Sequence, residues 1–218
     1  MKDKNAKKEE LILLPISEYV GVDRDDPIRF YRNPITGRLY RERVELCLQH
    51  CRGGDKVLEV GFGAGATFFN LAKKYREIHG VDLNANIDDI TGLYSSKGMD
   101  VYLKQGDVLN LPYTDKHFDT VLLISILEHL QPQDLTRAFQ EIWRVIKPGG
   151  QMVYGVPVDS LITRLGFLLL GYDIRKHHFS TEQQILQCAK AQFGNSSVST
   201  LRMPILGAHV YEVGEFIK

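Results

Sequence analysis

Between about residues 40 and 156, short apolar runs alternate with longer stretches of helical spacing, a pattern that admits few architectures. It calls for a parallel sheet whose strands are joined by crossover helices. "KVLEVG" (56–61), "EIHGVD" (77–82), "MDVYLKQGD" (99–107), "FDTVLLIS" (118–125) and "QMVYGVP" (151–157) read as five strands. The first is too apolar to leave either side exposed, as expected of a central strand in a parallel sheet. Between them, "RERVELCLQHC" (41–51), "ATFFNLAKKY" (66–75) and "NANIDDITGLYSSKG" (84–98) read as helices. Residues 134–147 carry Leu135, Ala138, Phe139, Ile142, Val145 and Ile146 on one face, and "PGG" closes that amphipathic helix.

The pattern changes after residue 157. No strand is evident over 158–180, while "STEQQILQCAKAQFG" (180–194) reads as a helix capped by Ser180 or Thr181, with Gly194 past its end. Two last strands, near 197–205 and 208–217, are separated by "LGAH", short enough for an antiparallel hairpin. The expected fold is α/β: a Rossmann-like, doubly wound sheet of about seven strands, mostly parallel with an antiparallel C-terminal hairpin, and helices on both faces.

At 218 residues and 44% hydrophobic content the chain is long enough for one good core, so a single domain over 1–218 is expected. Within it, 1–40 reads as a tail and cap segment, 41–156 as the binding core, 157–180 as a lid or specificity insertion, and 181–218 as the closing helix and hairpin. Charge is balanced, 27 basic against 27 acidic residues, so no global field calls for a nucleic-acid partner. Three cysteines argue against a disulfide framework and fit a reducing compartment. Cys47 and Cys51 flank His50 without further ligands at zinc-like spacing, so buried helical thiols are expected and no metal site. "MKDKNAKKEE" has no apolar segment and is not expected to act as a secretory signal. No run is long enough to cross a bilayer, which leads to a cytoplasmic expectation and leaves peripheral membrane contact open.

"VLEVGFGAGATF" (57–68) packs three glycines, Gly61, Gly63 and Gly65, into five positions directly after the first strand. Glycine weakens strand and helix alike, so this spacing suggests something approaching the main chain closely. The loop satisfies the loose G-x-G-x-x-A pattern of a dinucleotide site, with Asp82 at a plausible distance for a ribose contact. Glu59 tilts the choice. It would repel a pyrophosphate and attract an ammonium group.

Taken together, "VLEVGFGAG", "GVDLN", "QGDVLNLPYTDKHFD", "LLISILEHL" and "EIWRVIKPGG" follow in order over about residues 55–156. In that order the chain resembles the class I S-adenosylmethionine-dependent methyltransferases, in the small-molecule branch often called type 11. The resemblance implies S-adenosyl-L-methionine as cofactor and a role for each matching residue. Gly61, Gly63 and Gly65 would let the backbone pass under the methionine moiety, with Glu59 helping to place its ammonium. Asp82 would accept from both ribose hydroxyls, and Leu83 would flank the adenine. Asp107 would accept from the adenine amine while the Val108 amide donates to a ring nitrogen, and Ile124 would lie beside the methionine end. Phe62 stands where a smaller residue is frequent, a departure expected to alter the wall of the site.

A sulfonium methyl is already activated, so the main task is to hold nucleophile, methyl carbon and sulfur in line. A base matters only for an acceptor protonated at working pH, and His129, oriented by Glu128, is the leading candidate. Acceptor choice is expected to lie in 15–40 and 157–180. In the second segment Leu161, Ile162, Leu165, Leu168, Leu169 and Tyr172 follow helical spacing, and Arg175, Lys176, His177 and His178 add positive charge. A small-molecule acceptor is expected, with a mild preference for a lipid-linked or glycan precursor. A nicotinamide-dependent oxidoreductase and a non-catalytic scaffold on the same fold are the competing readings.

Overall fold

The computed structural model describes residues 9–20, 22, 27–34, 37–159, 178–194, 196–202 and 207–218. In chain order the regular elements are α1 (Gly37–His50), β1 (Gly54–Val60), α2 (Phe68–Leu71), β2 (Tyr75–Asp82), α3 (Ile87–Ser96) and β3 (Val101–Gln105). There follow β4 (Phe118–Ile124), α4 (Pro132–Val145), β5 (Ile146–Pro157), α5 (Glu182–Phe193), β6 (Ser196–Arg202) and β7 (His209–Ile217). The strands form one seven-stranded sheet in the order β3-β2-β1-β4-β5-β7-β6. β1, β2, β3, β4 and β5 pair in parallel, and β7 runs antiparallel to both β5 and β6.

Strand alternation sends neighbouring residues to opposite faces, and both faces are filled. Val57, Ile78, Leu122, Val153 and Val213 join one core cluster with Cys47 and Leu48 of α1, Phe68 and Leu71 of α2, and Ile90 and Tyr94 of α3. Their neighbours Leu58, Val81, Val121, Leu123, Met152 and Phe216 join a second, with the apolar faces of α4 and α5. The doubly wound expectation is therefore met on both faces. Cys47 and Cys51 are buried and free, and burial pushes the Cys51 thiol up to about 12. His50 lies 3.0 Å from both Glu215 Oε2 and Ser199 Oγ.

Several boundaries differ from the sequence pattern: α1 starts at Gly37 rather than 41 and β3 ends at Gln105 rather than 107, and two further differences have tertiary causes. The helix expected over 66–75 lasts only from Phe68 to Leu71, because tertiary contacts claim its second half. Tyr75 pairs with Gly54 in the sheet and its hydroxyl donates to Thr120 Oγ1 (2.8 Å), while Lys74 Nζ donates to Leu48 O (2.6 Å). Likewise α4 stops at Val145, not 147, since Ile146 already pairs with Phe118. The register then jumps to Thr120↔Gln151, so "KPGG" forms a bulge that opens β5.

Caps fix the remaining ends. Asn86 accepts from the Asp89 amide at the start of α3, and Thr181 with Gln184 forms a capping box on α5. Ser180, the other cap candidate, instead donates to Leu130 O (2.6 Å). The segment 9–20 packs along the helices: Leu11 N–H donates to Glu45 Oε1 (3.1 Å) and Ile12 N–H to Asn70 Oδ1 (2.9 Å). Tyr19, Ile28, Tyr31 and Tyr40 are buried in the same cluster as Phe62 and Ala64, so the described parts of 15–40 are bound into the core. No helix among the described residues is long and apolar enough to cross a membrane.

Candidate functional site

Strand order reverses at β1, which has β2 on one side and β4 on the other. The crevice outside the carboxyl ends of these strands is where an open α/β sheet binds ligands. The glycine loop leaves β1 there, with φ of 71°, 51° and 75° at Gly61, Gly63 and Gly65. These left-handed angles need glycine whatever the surroundings. The room they free is partly taken by the protein itself. A Cβ on Gly61 would stand 2.0 Å from Ile126 Cδ1, and one on Gly65 would stand 2.7 Å from the Phe68 ring and 2.9 Å from Tyr94. Phe62 is also no wall of the crevice: it is buried, 5.7 Å ring to ring from Phe68, and it fills the space over Gly80.

Carboxylates stitch this loop to its neighbours. Asp82, at the end of β2, accepts from Gly63 N–H at Oδ2 (3.0 Å) and from Asn84 and Ala85 N–H at Oδ1 (2.9 and 3.0 Å). Glu59 is 4% exposed, accepts from the Thr67 hydroxyl, and is pushed by burial up to about 8, with Asp82 adding to the rise. Leu83 is 57% exposed at the rim of the crevice. Its carbonyl accepts from Gln105 Nε2 (2.9 Å). Asp107 accepts from the Leu109 amide (2.9 Å) in a turn that its carbonyl closes with Asn110 N–H (3.0 Å), and the Val108 side chain is buried. All of these lie at the carboxyl ends of β1, β2 and β3.

A second group gathers at the end of β4. Ile124 pairs with Gly155 of β5, and Ser125 follows with φ 56°, a left-handed conformation that side chains rarely adopt. Its amide donates to Gly155 O (2.8 Å), and its hydroxyl lies 3.1 Å from Tyr211 Oη and 3.5 Å from Arg43 Nη1. The Arg43 guanidinium sits 4.4 Å over the Tyr40 ring, and its Nε is buried without a hydrogen-bond partner. The short turn Leu127–His129 then sets Glu128 inward and His129 outward. Glu128 is 2% exposed, and burial pushes its carboxyl up to about 8 against the pull of Arg43 and Ser125. The His129 ring meets His178 edge-on at 5.1 Å.

Sequence reading missed Thr67, Ser125, Arg43 and Tyr211. Thr67 had a weak signal, a hydroxyl residue placed to face a strand-end acid across the loop. Arg43 and Tyr211 look like ordinary members of a helix and a strand, and nothing in "LLISILEHL" marks Ser125 as left-handed. The expected lid helix and the run Arg175–His177 lie outside the described residues.

Residues 57–150 match the model of a family described as a methyltransferase domain. Over that stretch the chain is similar to a methyltransferase domain. Among curated proteins, it is 30% identical over 158 residues to a demethylmenaquinone methyltransferase of Staphylococcus haemolyticus, covering 70% of this chain and 63% of that protein. It is 36% identical over 143 residues to a fatty-acid O-methyltransferase of Mycolicibacterium smegmatis, covering 62% and 50%. A norajmaline N-methyltransferase of Rauvolfia serpentina is 36% identical over 101 residues, covering 44% of this chain and 34% of that protein. The chain thus spans only part of the length of these relatives. Among solved structures, the N-methyltransferase NodS of Bradyrhizobium japonicum, in complex with S-adenosyl-L-homocysteine, superposes with a TM-score of 0.65 at 17% identity, covering 93% of this chain and 96% of that one. At that identity the likeness concerns the fold alone.

Proposed function

We propose that the chain is an S-adenosylmethionine-dependent methyltransferase that transfers the methyl group in line to an O, N or C nucleophile of a small-molecule acceptor. The observation that carries this reading is the buried Glu59 carboxyl beneath a glycine loop already tied to Asp82. A pyrophosphate would meet two acids there, whereas a sulfonium with an amino-acid end meets complementary charge. β7, antiparallel inside the sheet rather than at its edge, also departs from the mostly parallel sheet of the dinucleotide fold.

In this reading the glycine-loop backbone and Glu59 hold the amino-acid end, Asp82 the ribose hydroxyls, Leu83 one face of the adenine, and Asp107 with the Val108 amide its edge. Asp82 Oδ2, with a single amide contact, keeps acceptor capacity, whereas Oδ1 already accepts two amides. Ile124 lines the methionine side through its backbone. His129, exposed at the far end of the crevice, is set to act on an acceptor hydroxyl, and an acceptor already nucleophilic needs no base. An apolar, lipid-linked acceptor is favoured by the apolar residues between 161 and 172, and among the relatives named above two act on a fatty acid and on demethylmenaquinone by name. A cytoplasmic location goes with three free cysteines.

Calorimetric titration with S-adenosylhomocysteine and with NADH tests the reading. Binding of S-adenosylhomocysteine alone is expected, and binding of NADH alone would overturn it. Turnover against an acceptor panel then separates an enzyme from a scaffold.

A further inference from the structure

At the end of β4 lies a side-chain combination that the transfer of an activated methyl does not by itself require. Glu128, His129 and His178 each bring one ligand atom to within 4.8 Å of the other two. Two imidazoles and a carboxylate are a donor set suited to first-row divalent metals. The three come from two separate stretches of chain, and the backbone locks those stretches together. Phe179 and Ser180 N–H both donate to Glu128 O (2.8 and 3.2 Å), which pins His178 beside the turn that carries the other two.

Glu128 gives an independent sign of a missing partner. It is 2% exposed, and its Oε2 is buried without a hydrogen-bond partner. A buried acceptor left in that state costs about 1–3 kcal/mol, more if charged, so a fixed environment that keeps it there points to a cation or donor that fills the gap. Arg43 does not fill it: its guanidinium lies over Tyr40 and reaches toward Ser125. His129 is exposed and His178 half-buried, so the triangle is open on its solvent side.

We propose that Glu128, His129 and His178 bind a first-row divalent cation, zinc by preference, with the remaining coordination positions open to water or to an oxygen of the acceptor. Ligand atoms around tetrahedral zinc stand about 3.3 Å apart, so side-chain rotation that closes at most about 1.5 Å completes the site. The purpose of the cation rests on the methyltransferase reading; its binding does not. A hydroxyl acceptor held by the cation releases its proton to water more readily, and the oxygen is left as the nucleophile. His129 then serves the acceptor as a ligand and need not take the proton itself.

The test uses chelator-stripped full chain titrated with Zn2+ by calorimetry and with Co2+ by visible absorption. One cation per chain is expected, with the intense cobalt bands of a low-coordinate site. His129→Ala and His178→Ala should each weaken uptake tenfold or more, while His209→Ala, on an exposed residue of β7, should leave it unchanged. Glu128→Gln removes a buried group and can unfold the chain, so the histidine variants carry the test, and retained S-adenosylhomocysteine binding certifies their fold. Absence of uptake tighter than about 1 mM, or uptake that both histidine variants keep, would overturn the site. Cation binding without S-adenosylhomocysteine binding contradicts the cofactor reading alone, and the converse contradicts the cation site alone.

Discussion

The two ends of the crevice are built on different principles. At the glycine loop, backbone amides and carboxylates satisfy one another: Gly63, Asn84 and Ala85 all donate to Asp82, and Thr67 donates to Glu59. At the end of β4, polar side chains are buried with part of their capacity unused, as at Glu128 Oε2 and Arg43 Nε. The first arrangement is a cradle preorganised before any ligand arrives, which limits the entropy lost on binding. The second holds unsatisfied groups in place, which is where a protein keeps its capacity for chemistry or further ligands. A cofactor end made of backbone tolerates few substitutions; an acceptor end made of side chains is free to change with the substrate.

The largest effect at the glycine loop is expected from Glu59. Its carboxyl is protonated in the folded chain up to about pH 8, and an unfolded glutamate ionises near pH 4.5. Stability is therefore unaffected by this group below about 4.5 and falls as pH rises from there through about 8, by about 3–5 kcal/mol if no other group intervenes. Denaturant unfolding between pH 5 and 9 should show a slope that is reduced in Glu59→Gln, the remainder coming from Glu128, whose carboxyl burial also raises to about 8. Equal slopes would remove Glu59 from the cradle's electrostatics. Next comes Gly61→Ala. The left-handed φ and the 2.0 Å approach to Ile126 predict a loss of about 2–4 kcal/mol. Gly98→Ala, with φ 75° and open space around it, should lose only about 1 kcal/mol. Comparable losses at both positions would mean that the loop is not packed as tightly as described.

Smaller effects sharpen the contrast. Asp82→Ala is expected to weaken S-adenosylhomocysteine binding by about 1–3 kcal/mol through lost charged hydrogen bonds, and unchanged affinity in calorimetry would contradict the ribose assignment. His129→Ala should leave that affinity within experimental error and lower turnover of a hydroxyl acceptor about 10²–10⁴-fold. A parallel loss of cofactor affinity would blur the division between the two ends.

Much of this was legible in the sequence, for reasons that vary by element. The central strands β1 and β4 announce themselves because burial on both faces demands apolar runs, and Asp82 and Asp107 stand out as acids at or just past strand ends. The antiparallel close was readable from the shortness of the "LGAH" connection. What escaped notice depended on tertiary context. Tyr75 was drawn out of a helical pattern by its sheet pairing and its bond to Thr120. The glycine spacing correctly marked a crowded turn, but not that Ile126, Phe68 and Tyr94 occupy much of the cleared space. Arg43, Ser125 and Tyr211 meet across long stretches of sequence, and no local periodicity encodes such a meeting.

The most direct test of the central claim is the proton balance of cofactor binding. S-adenosylhomocysteine titrated into the wild type at pH 7, in buffers of differing ionisation enthalpy, should release a substantial fraction of a proton, because an ammonium beside Glu59 favours its ionised form, and Glu59→Gln should release almost none. Binding with no proton released from the wild type, or with identical release from the variant, would contradict a cradle in which Glu59 receives the cofactor's amino end.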